Sequence, residues 1–316
     1  MILIVVIGAA LGATLAACGE ESEEAGPTVA ASTGILAELA TALAGDAVEV
    51  VQLVPDSVSP HDFQPSAGDR KRLAESDLVL VNGSGLDSAV PADEADAPVW
   101  ALTSETPRLL AFGAEEHSEG DEEHADGEHA GEAGEDEHAD DPHVWMDPTR
   151  VAAALPSLAD ALGEVEPAAA REFRRRAATL AAELRDLDRE IERELSAVDP
   201  ADRELITSHD ALAYFADRYR FEVVATAFPA TGADAEPSAG ALADVIEVVE
   251  ATGAGALFAE TTDDPEALES VAAETGVPVV TGLLVESPGA AGTYPQMLRR
   301  DAELIANALG GRACAR

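Results

Sequence analysis

The chain has 316 residues, of which 62 are Asp or Glu and 19 are Lys or Arg, giving a formal net charge of −43. That length holds two cores of ordinary size, and that charge excludes nucleic acid as a partner, because phosphate contacts need Lys/Arg patches. Cations are the small partners it attracts, and with Lys71 as its only lysine the surface also suits hydration at high salt.

Residues 1–18 form an apolar run ending in Leu15-Ala16-Ala17-Cys18 and followed at once by acids. A run of this kind, ending at small residues, is expected to be an export signal. The L-A-A-C ending resembles a bacterial lipobox, which implies cleavage before Cys18 and lipid on its thiol. The basic n-region is missing, and the competing reading is a membrane-spanning anchor. Either device holds the remainder outside the cytoplasmic membrane. The other cysteine is Cys314, so neither a disulfide framework nor a Cys-based zinc site can be built.

From residue 19 a polar tether leads into short β-branched runs, TVAAS, VEVVQLVP, DLVLVNG and APVWAL. Between them lie helix-compatible stretches, GILAELATALAG and AGDRKRLAES. This alternation predicts an α/β lobe with a largely parallel sheet over 19–162, closing with a helix over 149–162. HVWM, at 143–146, reads as strand-like. The segment 163–198 is expected to be one linking helix. Its core, Pro167–Val198, carries Phe173, Leu180, Leu184, Leu187, Ile191 and Leu195 at helical spacing, which at about 1.5 Å per residue reaches roughly 45 Å. The stripe is too short for a sustained coiled coil, so the expectation is a helix crossing between lobes. A second βα series over 199–316 follows: ELITS, FEVVATAF, GALFAE and VPVVTG as strands, with helices near 210–219, 238–252, 264–275 and 294–309. Ligands of open α/β sheets bind beyond the carboxyl ends of the strands, so the chemistry belongs just after each one.

Three histidines stand at such junctions. His61 lies in DSVSPHDFQPS, His143 precedes Asp147-Pro148, and His209 follows ELITS. Neutral imidazole is the commonest metal ligand. Three nitrogens from separate segments suit Zn²⁺, with Mn²⁺ or Fe²⁺ less favoured. Taken singly, each could be a histidine satisfied by the backbone; taken together, they are the chain's only histidines outside the acidic stretch 115–141.

SPHDFQPS, DPHVWMDP and TSHDALAYFADRY, joined to FAE and to GTYPQMLRRDAELIANAL, resemble the metal-binding solute-binding proteins of zinc and manganese ABC importers, the TroA-like superfamily. The likeness covers residues 28–309. It implies two α/β lobes joined by one long helix, with the metal between them. It further implies a monomer that hands its cargo to an ABC permease and its ATPase. On this resemblance His61, His143 and His209 fall on three of four ligand positions. The family's aspartate is expected after VPVVTG in a T-D-S-L-like context, where this chain has Thr281-Gly282-Leu283-Leu284. Gly282 cannot be a ligand. Glu260, at the end of ALFAE, is the first expectation for a replacement, with Glu286 or a water as alternatives. Otherwise Glu260 would be the acceptor that orients a ligand histidine.

From Glu115 to Asp141 there are fourteen acids, four histidines (His117, His124, His129, His138) and no Lys or Arg. Such a segment cannot bury enough apolar surface to fold by itself, and it is expected to be a loop that gathers Zn²⁺ weakly beside the site, or one that merely solvates. Three function classes follow: a binding protein for a permease, a zinc hydrolase using three His with an open position, and an adhesin or extracellular metal buffer. Against the hydrolase, the chain has neither H-E-x-x-H nor G-x-S-x-G.

Overall fold

The computed structural model describes residues 26–112, 140–228, 238–262 and 264–310. Cys18, Cys314 and the four histidines of the acidic stretch lie outside them. Two four-stranded parallel sheets carry the molecule. In the first half the strands are β1 (Thr28–Ala31), β2 (Glu49–Gln52), β3 (Leu78–Val81) and β4 (Val99–Ala101), in the order β2-β1-β3-β4. In the second they are β5 (Glu204–Thr207), β6 (Glu222–Thr226), β7 (Leu257–Glu260) and β8 (Val279–Leu283), in the order β6-β5-β7-β8. Parallel pairing needs crossover helices, and these cover both faces, so a central strand such as β7 (LFAE) is buried at every residue.

The helices start and stop where the local chemistry dictates. Helix α1 (Gly34–Ala44) begins after Thr33, whose hydroxyl accepts from the Leu36 amide. Helix α2 (Ala67–Ala74) opens on a capping box between Ser66 and Asp69. Helix α3 (Pro148–Val165) has Pro148 in its first turn, and the Asp147 carboxylate accepts from the Thr149 amide. The strand-like reading of HVWM is corrected: Val144–Met146 is a tight 3₁₀ turn, all of it buried, whose apolar residues are bought for the core and not for a sheet.

The linking helix also differs from expectation. Residues 163–198 are not one helix: α3 runs to Val165, and α4 (Ala170–Leu195) begins after a turn. Pro167 explains the break, since it lacks an N–H and pushes Glu166 out of the helical region, to φ −126°, ψ 81°. Helix α4 buries the expected stripe, with Phe173, Leu184, Leu187, Ile191 and Leu195 each at most 2% exposed. It packs along α3 and α1 of the first half and α8 (Tyr294–Gly310) of the second, so a single apolar cluster includes residues of both halves. The remaining helices are α5 (Ala213–Tyr219), α6 (Ala239–Thr252) and α7 (Glu266–Thr275).

Asp301, on α8, is fully buried. Its Oδ1 accepts from the Leu284 amide at 2.9 Å, while Oδ2 has no hydrogen-bond partner. Burial pushes this carboxyl up to about 7. In the unfolded chain an aspartate ionises near 3.9, so the native state loses stability as the pH rises from about 4 to 7 and no further above that. Asp301→Asn should therefore gain on the parent across that window, by a few kcal/mol at pH 8, and match it near pH 4. Urea melts at the two pH values check this; parallel curves at both would exclude a buried acid here.

Candidate metal centre

The three junction histidines converge. His61 lies between β2 and α2, His143 immediately before the 3₁₀ turn that leads into α3, and His209 between β5 and α5. Their ring centroids stand 5.6, 5.8 and 5.5 Å apart, close to an equilateral triangle. One ligating atom from each lies within 4.8 Å of the others, and the Nε2 atoms of His61 and His143 are 3.4 Å apart. Two nitrogens bound tetrahedrally at about 2.0–2.1 Å from a zinc ion would be separated by about 3.4 Å.

Each buried imidazole has a carboxylate on its far side. Asp141 Oδ1 lies 2.8 Å from His143 Nδ1 and also accepts from the His143 amide. A carboxylate oxygen accepts, so Nδ1 carries the proton and Nε2 presents its lone pair to the centre. Glu260 Oε1 stands 2.8 Å from His209 Nδ1 in the same relation. Glu260 thus stands where the alternative expectation puts it, as the acceptor behind a histidine, because a carboxylate against Nδ1 faces away from Nε2 of the same ring.

Glu286 is the carboxylate that faces the Nε2 atoms. Its Oε1 lies 4.0 Å from His61 Nε2 and 3.9 Å from His209 Nε2 and accepts from the Ser59 hydroxyl at 2.8 Å. Burial pushes the Glu286 carboxyl up, with His209 and then Ser59 pulling it back. Gly282 lies elsewhere. It is the extra residue of a bulge in β8, between the pairs Ala259↔Thr281 and Glu260↔Leu283, at φ +102°, and a Cβ there would face Arg300. An aspartate at 282 would be strained and misdirected. The carboxylate-then-serine context occurs four residues later, as Glu286-Ser287. The signal that finds it is the end of the strand: β8 continues through the bulge to Leu283, so the residues just beyond it include Glu286.

The segment ahead of His143 is fixed from two directions. Asn82 Nδ2 donates to the Pro142 carbonyl at 2.9 Å, and the Tyr214 hydroxyl donates to the Asp141 carbonyl at 2.9 Å while accepting from the Leu110 amide at 3.0 Å. The Asp141 amide donates to the Leu110 carbonyl, and Ala111 bridges to Asp140. The 115–141 boundary is thus corrected at its end: Asp140 and Asp141 belong to the frame, and Asp141 to the site.

Two sheets of this kind, with polar side chains converging beyond their strand ends, define a two-lobed binding protein. The same architecture occurs in the periplasmic zinc-binding protein TroA from Treponema pallidum, with a TM-score of 0.77 over 90% of this chain and 99% of that one at 23% identity. ZnuA gives 0.73 over the same shares. The family described as zinc-uptake complex component A, periplasmic, matches residues 29–308, and the chain belongs to it. The zinc-binding protein AdcA of Streptococcus pyogenes serotype M3 is 26% identical over 279 residues, 85% of this chain. The chain spans about half the length of that relative, 53%. The manganese-binding lipoprotein MntA of Halalkalibacterium halodurans is 23% identical over 98% of this chain and 96% of its own. Binding of a divalent metal outside the cytoplasm is the property of the family. No helix among the described residues is long and apolar enough to cross a membrane.

Proposed function

We propose that the protein captures Zn²⁺ through His61, His143, His209 and Glu286 and delivers it to an ABC permease driven by its ATPase. The observation that carries this reading is the donor set: three imidazole nitrogens and one carboxylate oxygen facing one point. Four such donors suit tetrahedral zinc, whereas manganese favours more oxygen and higher coordination. Three neutral imidazoles and one carboxylate leave the bound ion a net charge of +1, which the carboxylates behind His143 and His209 offset.

The rest of the organisation follows the same reading. Residues 1–18 are a lipoprotein signal, Cys18 carries the lipid that anchors the protein outside the cytoplasmic membrane, and the mature chain acts as a monomer. Residues 19–162 and 199–316 are its lobes. His117, His124, His129 and His138 gather zinc weakly beside the site. Manganese is the second reading, favoured by the name of the relative that aligns over nearly the whole chain.

Metal analysis of protein purified without chelator, with competition titrations, tests the proposal. One zinc per chain is expected, bound more tightly than manganese. Glu286→Ala should weaken zinc at least a hundredfold, about 2.7 kcal/mol. Glu260→Gln keeps an acceptor for His209 and should cost roughly tenfold or less. If Glu260→Gln abolishes binding while Glu286→Ala preserves it, the ligand assignment is reversed; tighter manganese binding would establish the second reading.

A further inference from the structure

Val285, Glu286 and Ser287 are three consecutive residues of the second half, and each is hydrogen-bonded to a different residue of the first. Trp145 Nε1 donates to the Val285 carbonyl at 2.7 Å, Ser59 Oγ donates to Glu286 Oε1 at 2.8 Å, and Ser287 Oγ donates to Asp56 Oδ1 at 2.7 Å. The first-half partners are themselves tied to ligand segments or to the sheet. Trp145 stacks edge-on to His143, with centroids 5.2 Å apart. Ser59 Oγ accepts from the His61 amide at 3.3 Å. Asp56 Oδ1 also accepts from Gln52 Nε2 at 2.7 Å, at the end of β2. All three residues of the strap are buried.

The knot of Asp56, Ser287 and Gln52 closes over Gly34, the first residue of α1. A methyl group on Gly34 would lie 2.6 Å from Asp56 Oδ1, 3.0 Å from Ser287 Oγ and 3.1 Å from Gln52 Nε2. Glycine here serves close approach, since its backbone is ordinary helix. Any side chain would wedge the three groups apart.

We propose that Asp56, Ser287 and Gly34 form a positioning device that sets the fourth ligand, Glu286, against the first half of the molecule. The inference rests on Glu286 being a metal ligand. On this geometry Glu286 is preassembled with His61 and His143, and none of the three positioning residues is among the four proposed donors. A carboxylate held in place loses little freedom when it binds, whereas an untethered one must be ordered by the metal itself.

Gly34→Ala and Ser287→Ala test it without altering any ligand. Alanine favours helix over glycine, so Gly34→Ala should fold with an unchanged circular dichroism spectrum. Each variant should weaken zinc about tenfold, raise its dissociation rate, and shift the cobalt(II) ligand-field spectrum toward that of Glu286→Ala. In the Glu286→Ala background neither should weaken zinc further, because the group being positioned is gone. Wild-type affinity and cobalt spectrum in both variants would overturn the proposal, as would losses that add fully to that of Glu286→Ala. If Glu286→Ala alone leaves affinity unchanged, the ligand assignment has failed, and that outcome is separate from these.

Discussion

His143→Ala should abolish the tight zinc binding proposed above and, with it, the stabilisation that the ion would give the fold. His143 is fully buried, its Nδ1 is engaged by Asp141, and its Nε2 lies 3.4 Å from that of His61, so its loss removes a donor that its surroundings hold in place. An affinity loss of a hundredfold or more, about 2.7 kcal/mol or greater, is expected. With free zinc at a thousand times the dissociation constant, the parent should gain about 4 kcal/mol toward unfolding, and the variant at the same concentration should gain far less. Thermal melts with and without zinc, beside competition titrations, check both. The parent's affinity should itself fall as the pH is lowered, because protons and the metal compete for the same imidazole nitrogens. A zinc-dependent melting shift that survives in His143→Ala would remove this residue from the site.

The second large effect is on folding alone. Phe173, near the start of α4, is completely buried in the cluster that includes residues of both halves. Phe173→Ala deletes a ring from that contact and should cost about 3–5 kcal/mol, lowering the melting temperature by roughly 10 °C. Zinc affinity measured well below the transition should stay within about threefold of the parent, because the ring touches none of the four donors. A cost under about 1 kcal/mol would show that the core closes over the loss of this ring.

Much of this was legible in the residues. The eight strands and the three junction histidines follow from β-branched runs and from the rule that ligands gather beyond strand ends. What was not legible depended on direction. Glu260 and Glu286 both lie near the ends of neighbouring strands, and only the side-chain geometry shows one against Nδ1 of His209 and the other facing Nε2. Gly282 reads as the end of a strand in a linear pattern, whereas in the sheet it is a bulge with β8 continuing beyond it. Pro167 marks the break between α3 and α4, but the amphipathic stripe from Phe173 to Leu195 has the same helical period whether or not the helix is interrupted ahead of it. Asp141 was absorbed by the run of acids before it, since composition cannot separate a solvating carboxylate from one that fixes a histidine.

Helix α4 has neither glycine nor proline along its 26 residues, and its apolar stripe is seated against α1, α3 and α8. Clamshell opening concentrates rotation in a few residues that can absorb large changes in φ and ψ, and this helix offers none. Spreading the halves widely would mean tearing its stripe out of the core. On the proposed reading the ion's residence time would be governed by small excursions at the mouth, where His61 is the most exposed of the three imidazoles. A permease receiving the proposed cargo would have to work on the loop from Pro55 to His61, shortening the dwell there instead of prising the molecule open.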